Sequence, residues 1–270
     1  MSVETSLLHL LQGGGPALRG QILRPYPDRN QQARQVHTIT DRFSIANTYL
    51  INSERLIIVD PGSDLNVSLL LTYLRDVLHR APDEIDLIVL THLHSDHSAG
   101  VKFLRRVNKA PVAASIAARQ LALESQEKPG TPGITQLAGK ALRQKTLSAA
   151  PRHMDLFPPH YANQVELIDL WLEDVAGLPY HPEWRVIANP VASPDYTLAS
   201  ICLYNPFSFE LLCGDVITIA GGTPLLRGAT NRSRLEETLR TLRDLEVHYL
   251  YPCRGRPILA QRPLEHASVE

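Results

Sequence analysis

Cysteine is scarce in this chain: three residues, Cys202, Cys213 and Cys253, among 270. The set is odd and holds no C-x-x-C pair, which argues against a disulfide framework and against a zinc ribbon. What remains is three small buried hydrophobes in a reducing compartment. Long apolar runs are missing too. No stretch approaches the roughly 20 apolar residues of a membrane-spanning helix, so no membrane partner is expected. The start, Met1-Ser2-Val3-Glu4-Thr5-Ser6, lacks a basic region, and Leu7 to Leu11 is too short for a secretion-signal core. Charge of one sign is also absent: the net charge is −1 and no long basic run occurs, so nothing recommends nucleic acid. The expectation is a soluble, cytoplasmic protein. With 44% hydrophobic and 20% charged residues it can build a sizeable core.

What the chain does have is a dense polar cluster, Thr91-His92-Leu93-His94-Ser95-Asp96-His97-Ser98-Ala99-Gly100. The run before it, Ile85-Asp86-Leu87-Ile88-Val89-Leu90, is rich in β-branched and aliphatic side chains and reads as a buried strand. The run after it, Val101 to Val107, has apolar residues at helical spacing. The cluster therefore falls on a loop between a strand's C-terminal end and a helix, where open α/β folds present ligands. Neutral imidazoles and carboxylates together suit a divalent ion. His92 and His94, two apart in an extended segment, point the same way. Asp96 and His97 follow where the chain turns and can face a second position.

Around this loop the pattern alternates strands and helices. Strands are expected at Val36–Thr40, Ile45–Ile51, Leu56–Val59, Pro111–Ala114, Val165–Leu170, within Trp184–Val191, and at His248–Tyr251, with a hairpin at Ser200–Tyr204 and Phe209–Cys213. Helices are expected at Leu69–Leu78, from Ile116 to about Glu124, from Ile134 to about Ser148, and at Leu235–Leu245. Residues 1–35 read as an N-terminal extension without chemistry, and 259–270 as a C-terminal tail. A Pro/Gly linker, Gln126 to Gly133, opens an insertion over 126–160, either a lid or a packing decoration. Asp60, at a strand end before Pro61-Gly62, reads on its residues alone as a cap for the helix beginning near Asn66.

The segment His92-x-His94-x-Asp96-His97 resembles the signature of the metallo-β-lactamase superfamily, which includes glyoxalase-II-like thioester hydrolases, lactonases and β-lactamases. The resemblance covers about residues 36–258. It implies an α/β fold of four layers, αββα, with two mixed β-sheets inside and helices on the outer faces. It further implies that Asp60 lies behind the metal ligands and orients them. Asp215, after Gly214, matches the family's bridging carboxylate.

Two loops depart from the family's pattern. Where the family reads T-P-G-H-T-P-G-S, this chain reads Ser193-Pro194-Asp195-Tyr196-Thr197-Leu198-Ala199-Ser200, with Tyr196 at the histidine position. Where the family reads P-G-H-G, this chain reads Pro252-Cys253-Arg254-Gly255, with Arg254 at the histidine position. A guanidinium stays protonated and has no lone pair to give. It would repel a second dication and pair with Asp96 or Asp215 in fork geometry. The expected centre is thus mononuclear, one divalent ion on His92, His94 and Asp215, with Asp96 and His97 as further candidates. Zinc is the first choice, and iron and manganese suit the same ligand types. Tyr196 and Arg254 would polarise or anchor a small anionic substrate, and Asp96 would orient water or accept its proton. His160, His181 and Asp195 are held in reserve. Cys253 could offer a soft thiolate, although packing at the last strand is the preferred reading. The implied activity is hydrolysis of an ester, thioester or lactone-like bond. The alternative is a non-catalytic descendant in which Arg254, Asp96 and Asp215 form an ionic core of a binding module.

Overall fold

The computed structural model describes residues 35–40, 46–120, 165–188, 200–226, 232–260 and 262–269. The first sheet is built from β1 (Val36–Ile39), β2 (Thr48–Asn52), β3 (Leu56–Val59), β4 (Ile85–Leu90), β5 (Val112–Ser115) and β6 (Leu170–Leu172), side by side in that order. The first three are antiparallel neighbours, and β3, β4, β5 and β6 run parallel. The second half supplies β7 (Gly177–Leu178), β8 (His181–Ala188), β9 (Ile201–Asn205), β10 (Glu210–Leu212), β11 (Thr218–Ala220), β12 (Thr223–Leu226), β13 (Tyr249–Tyr251), β14 (Ile258–Leu259) and β15 (Ser268–Val269). Of these, β14-β13-β10-β9-β8-β7 form the second sheet and β11-β12-β15 a small third one. Within the second sheet β10 and β13 are parallel and the other pairings antiparallel.

Strand periodicity explains the layering. Along β4, Leu87 and Val89 point to one face, where they join Ile57, Val59 and Ala113 against Trp184, Val186, Leu203 and Leu212 of the second sheet. Ile88 and Leu90 point to the other face and pack on Val67, Leu70, Val101 and Leu104. A strand buried on both faces must be apolar there, which is why Leu87–Leu90 reads as an unbroken apolar run, with Asp86 tolerated only at the half-buried strand start. On the far side of the second sheet, Tyr204, Leu211 and Leu250 pack on Leu235, Leu239 and Leu242. The layers are helix, sheet, sheet, helix, the four-layer sandwich expected from the sequence. Helices among the described residues include α1 (Asp64–Tyr73), α2 (Ser95–Ser98), α3 (Val101–Leu104) and α4 (Arg232–Arg243). No described helix is long and apolar enough to cross a membrane.

Several elements differ from the sequence reading. The helix expected at Leu69–Leu78 starts earlier, because Ser63 caps it: Asn66 N donates to Ser63 Oγ at 3.3 Å. It ends in a single π turn over Leu74–Leu78. Ser63, not Asp60, is thus the cap. Val165–Leu170 is not a strand; Ile168 N bonds Val165 O in a turn, and β6 begins at Leu170. Asp169 holds that junction, accepting from Val112 N at 2.8 Å and Arg105 Nη2 at 2.5 Å. The tail expected at 259–270 is built into the fold: Leu259 pairs with Tyr249, Ser268 and Val269 pair with β12, and Leu264 and Ala267 are buried. The extension before Gln35, the 126–160 insertion and most of the loop around Tyr196 lie outside the described residues.

Candidate metal centre

Two parallel strand pairs aim their C-terminal ends at one place. From β3 and β4 come Asp60 and the Thr91–His97 loop. From β10 and β13 come Asp215 and the Cys253-Arg254 pair. Backbone bonds tie the second pair together, Cys213 N to Tyr251 O at 3.0 Å and Cys253 N to Gly214 O at 3.2 Å. Gly214 has φ +47°, and a Cβ there would stand 2.7 Å from Thr91 Oγ1, so only glycine lets the two halves meet this closely.

Asp60 organises the histidine loop from beneath. It is 2% exposed and holds a left-handed backbone, φ +52°, uncommon for a residue with a side chain. Its Oδ1 accepts from Thr91 N at 2.8 Å, and its Oδ2 accepts from Thr91 Oγ1 at 2.7 Å and from His97 Nδ1 at 2.8 Å. Because the Thr91 hydroxyl gives its only proton to Asp60, the contact of Thr91 Oγ1 with His92 Nδ1 at 3.1 Å must run the other way, with His92 Nδ1–H donating. His92 therefore carries its Nε2 lone pair outward. The same logic turns His97 Nε2 toward the cleft. Both Nε2 atoms are buried and have no hydrogen-bond partner among the described residues.

The convergence is tight. The His92 ring lies 4.6 Å from that of His94 and 4.0 Å from that of His97, centroid to centroid. Donor atoms of His92, His94 and Asp215 lie within 4.8 Å of one another, and so do those of His97, Asp215 and Cys253. Asp215 Oδ2 is 3.4 Å from His92 Nε2, while its Oδ1 is 3.8 Å from His97 Nε2 and touches Cys253 Sγ. Two imidazoles and one carboxylate form a donor set that catalytic zinc sites use, and buried nitrogens without partners are what an ion would satisfy. The residues present fit a divalent ion.

Arg254 lies across the acidic side. Its Nη2 donates to Asp96 Oδ2 at 2.7 Å, and its Nε is 3.4 Å from Asp215 Oδ1. The expected fork on one carboxylate is thus replaced by a bridge between two. Three carboxylates, Asp60, Asp96 and Asp215, outnumber the cations around them, so the cleft keeps a negative excess that a bound cation would offset.

Electrostatics follow from this crowding. Burial opposes ionisation of Asp215, yet His92, then His97 and Arg254, hold its carboxyl well below the usual range. Burial likewise works against Asp96, and His97 and Arg254 overcome it, so its carboxyl is also held low. For His97 burial resists protonation, but Asp60, Asp215 and Asp96 raise its pKa to about 9. His94 is lowered to about 3 by burial and then by His92. Burial, then Asp215, pushes the Cys253 thiol well above its ordinary value.

The structure brings Asp60, His92, His94, Asp96, His97, Asp215 and Arg254 into one cleft. It does not bring His181 there: His181 begins β8, and its Nε2 is 3.2 Å from Asp86 Oδ1, near the start of β4 and away from Thr91. An imidazole engaged by Asp86 at that strand end is removed from the reserve ligands. Tyr196, Asp195 and His160 lie outside the described residues. Sequence reasoning missed Thr91, whose signal was its place directly before the first histidine. It also missed Asn47, which pins the Arg254 loop by donating from Nδ2 to Pro252 O at 2.8 Å and Gly255 O at 2.9 Å.

A sequence profile of the metallo-beta-lactamase superfamily matches residues 41–254. In structure the chain is similar to a metallo-beta-lactamase family protein of Thermus thermophilus, with a TM-score of 0.56 at 19% identity, over 86% of this chain and 75% of that one. It is similar also to a metallo-beta-lactamase from Pontibacter korlensis, with a TM-score of 0.54 at 16% identity, over 86% of this chain and 91% of that one. These likenesses are of fold. In sequence, 57 residues are 47% identical to the Beta-lactamase-like protein 2 homolog of Drosophila melanogaster, a match spanning 21% of this chain and 19% of that protein.

Proposed function

The chain belongs to the metallo-β-lactamase superfamily, and on that premise we propose that it hydrolyses an ester, thioester or lactone-like bond in a small anionic molecule, using one divalent ion on His92, His94 and Asp215. Superfamily members are typically metal-dependent hydrolases. The observation that carries the reading is the Arg254 bridge beside an intact donor set: the guanidinium neutralises one carboxylate's charge on the side where a second ion would sit. An ion held by these residues supplies Lewis-acid chemistry, acidifying water and polarising an acyl oxygen. Zinc is the proposed metal, with iron and manganese as alternatives that its ligands also suit.

The chain's own residues do the rest. Asp60, through Thr91, fixes which nitrogen His92 presents. Asp96, kept ionised by His97 and Arg254, acts as an acceptor that orients water rather than as a strong base. Arg254, at 21% side-chain exposure, keeps N–H donors beyond its two carboxylate contacts, which supports an anionic substrate group docking on it. Tyr196 is the proposed donor to the substrate oxygen, on its sequence position alone. Three free thiols support a reducing, cytoplasmic setting.

Metal content of protein purified without chelator tests the reading. One equivalent per chain is expected, lost in His92→Ala and His94→Ala together with any turnover on ester and thioester panels. Two equivalents would overturn the Arg254 argument. The ionic bridge itself favours a second reading, a metal-free binding module. There, a melting temperature unmoved by chelator is expected, since an ion that binds only the folded state must stabilise it.

A further inference from the structure

Cys253 is the donor that the histidine loop's pattern does not account for. It is fully buried, and its Sγ contacts Asp215 Oδ1. His97 Nε2, also buried and without a hydrogen-bond partner, points at the same carboxylate oxygen from 3.8 Å. Asp96 follows His94 on the same loop and could serve as the anionic ligand on this side. It is instead held by Arg254 Nη2 at 2.7 Å. The place thus has a nitrogen donor, an oxygen donor and a sulfur, with its natural carboxylate diverted.

We propose that Cys253 is a metal ligand: with His97 and Asp215 it forms a second, sulfur-containing donor set that takes thiophilic ions such as cadmium in preference to hard ones. The proposal rests on the reading that this cleft binds metal. Asp215 belongs to both donor sets, so an ion chooses between them. His92, His94 and Asp215 offer nitrogen and oxygen, whereas His97, Asp215 and Cys253 add the soft donor. Arg254 sets the charge. It places a cation next to this position, and a thiolate supplies the negative charge that offsets it, which a serine or alanine could not. On coordination the S–H bond of Cys253 and the Nε2–H bond of protonated His97 break, both protons leave to solvent, and metal–sulfur and metal–nitrogen bonds take their places. No oxidant or reductant is involved. The shared carboxylate and the nearby guanidinium hold occupancy to one ion.

The test is a titration of the full-length, chelator-stripped protein with cadmium chloride, and separately with cobalt chloride, followed by ultraviolet thiolate-to-metal charge-transfer absorbance. Wild type, Cys253→Ser, Cys253→Ala and the control Cys202→Ala are compared. A band that saturates at one cadmium per chain in wild type and control, and is absent in both Cys253 variants, supports the proposal. Their cadmium affinity should fall by at least the roughly 10–100-fold that losing a mere supporting partner costs. Cadmium binding without a band, or a band surviving in the Cys253 variants, overturns it while leaving the metal reading intact. No binding of cadmium or cobalt at all overturns both. Should either variant fail to fold by circular dichroism, cadmium NMR of the wild type decides alone, because a sulfur-ligated resonance is well separated from one with only nitrogen and oxygen ligands.

Discussion

Arg254 Nη2 donates to Asp96 Oδ2 at 2.7 Å, joining a residue after β13 to the turn that carries the histidines, 158 positions away. The bond is a charge-assisted one between partly buried groups, 21% and 24% exposed. Removing the guanidinium leaves only the neighbouring histidines to offset Asp96 and Asp215. Arg254→Met should therefore destabilise the metal-free protein by about 1–3 kcal/mol, less than a fully buried pair because some solvent reaches it. Arg254→His should do something different. It substitutes a lone-pair donor for a fixed cation, and metal content should rise from one toward two equivalents per chain. Elemental analysis with protein quantitation reads this directly, and an unchanged stoichiometry would remove Arg254 as the reason for a single ion.

Thr91 is the smallest residue with a large expected effect. Its hydroxyl donates to Asp60 and accepts from His92, so it sets the orientation of a ligand without touching the cleft. Thr91→Val keeps the shape and deletes the relay. Metal affinity should fall by about 10–100-fold, measured by competition with a chromophoric chelator, and Thr91→Ser should restore most of it. Equal affinities for all three proteins would mean that packing alone fixes the His92 ring.

How much of this was legible in the sequence depends on separation along the chain. The strand before the histidines and the hairpin through Asn205 are local patterns, and both are present as β4 and the β9–β10 pair. The histidine loop was legible because its side chains sit within six positions, His92 to His97. Asp215 and Arg254 were reached through a family pattern. What no local pattern carries is pairing at a distance: Cys253 against Asp215, 38 positions apart, or His181 against Asp86, 95 apart. The short β11–β12 hairpin turns on Gly221 and Gly222, both at positive φ, and its third partner is β15 at the far end of the chain. Strands of two to four residues carry too few side chains for a period to show.

Asn47 carries the consequence of such distant pairing. Its Nδ2 bonds two carbonyls that flank Cys253 and Arg254, and its Oδ1 accepts from Thr40 Oγ1 at 2.7 Å. Asn47→Ala takes one of two donors from the buried Pro252 carbonyl, which keeps the Tyr49 hydroxyl, and removes the bond to the Gly255 carbonyl at the surface. A loss of about 1–3 kcal/mol in urea denaturation is expected. The same change should weaken metal binding, since the loop bearing Cys253 and Arg254 loses its anchor. A stability loss with unaltered metal affinity would show that the loop is held adequately by its backbone bonds.

His37 supplies a pH dependence far from the cleft. It lies in β1, fully buried, with Nδ1 2.9 Å from Tyr73 Oη and Nε2 without a hydrogen-bond partner among the described residues. Burial lowers its pKa from 6.5 to about 4. Between those values the unfolded chain binds a proton that the folded chain refuses, so stability rises with pH across this window and falls as the medium is acidified. Above the unfolded value the group contributes no slope, and below about 4 its loss is complete. From pH 7 to pH 5 the loss amounts to about 2 kcal/mol, because each pH unit inside the window costs about 1.4 kcal/mol. Urea denaturation of chelator-treated wild type and His37→Gln at both pH values isolates it, because every other titrating group is common to the two proteins. The wild type should lose about 2 kcal/mol more than the variant on going to pH 5. Parallel losses would mean that His37 takes up its proton in the folded chain, with Tyr73 or a rearranged β1 accepting the charge.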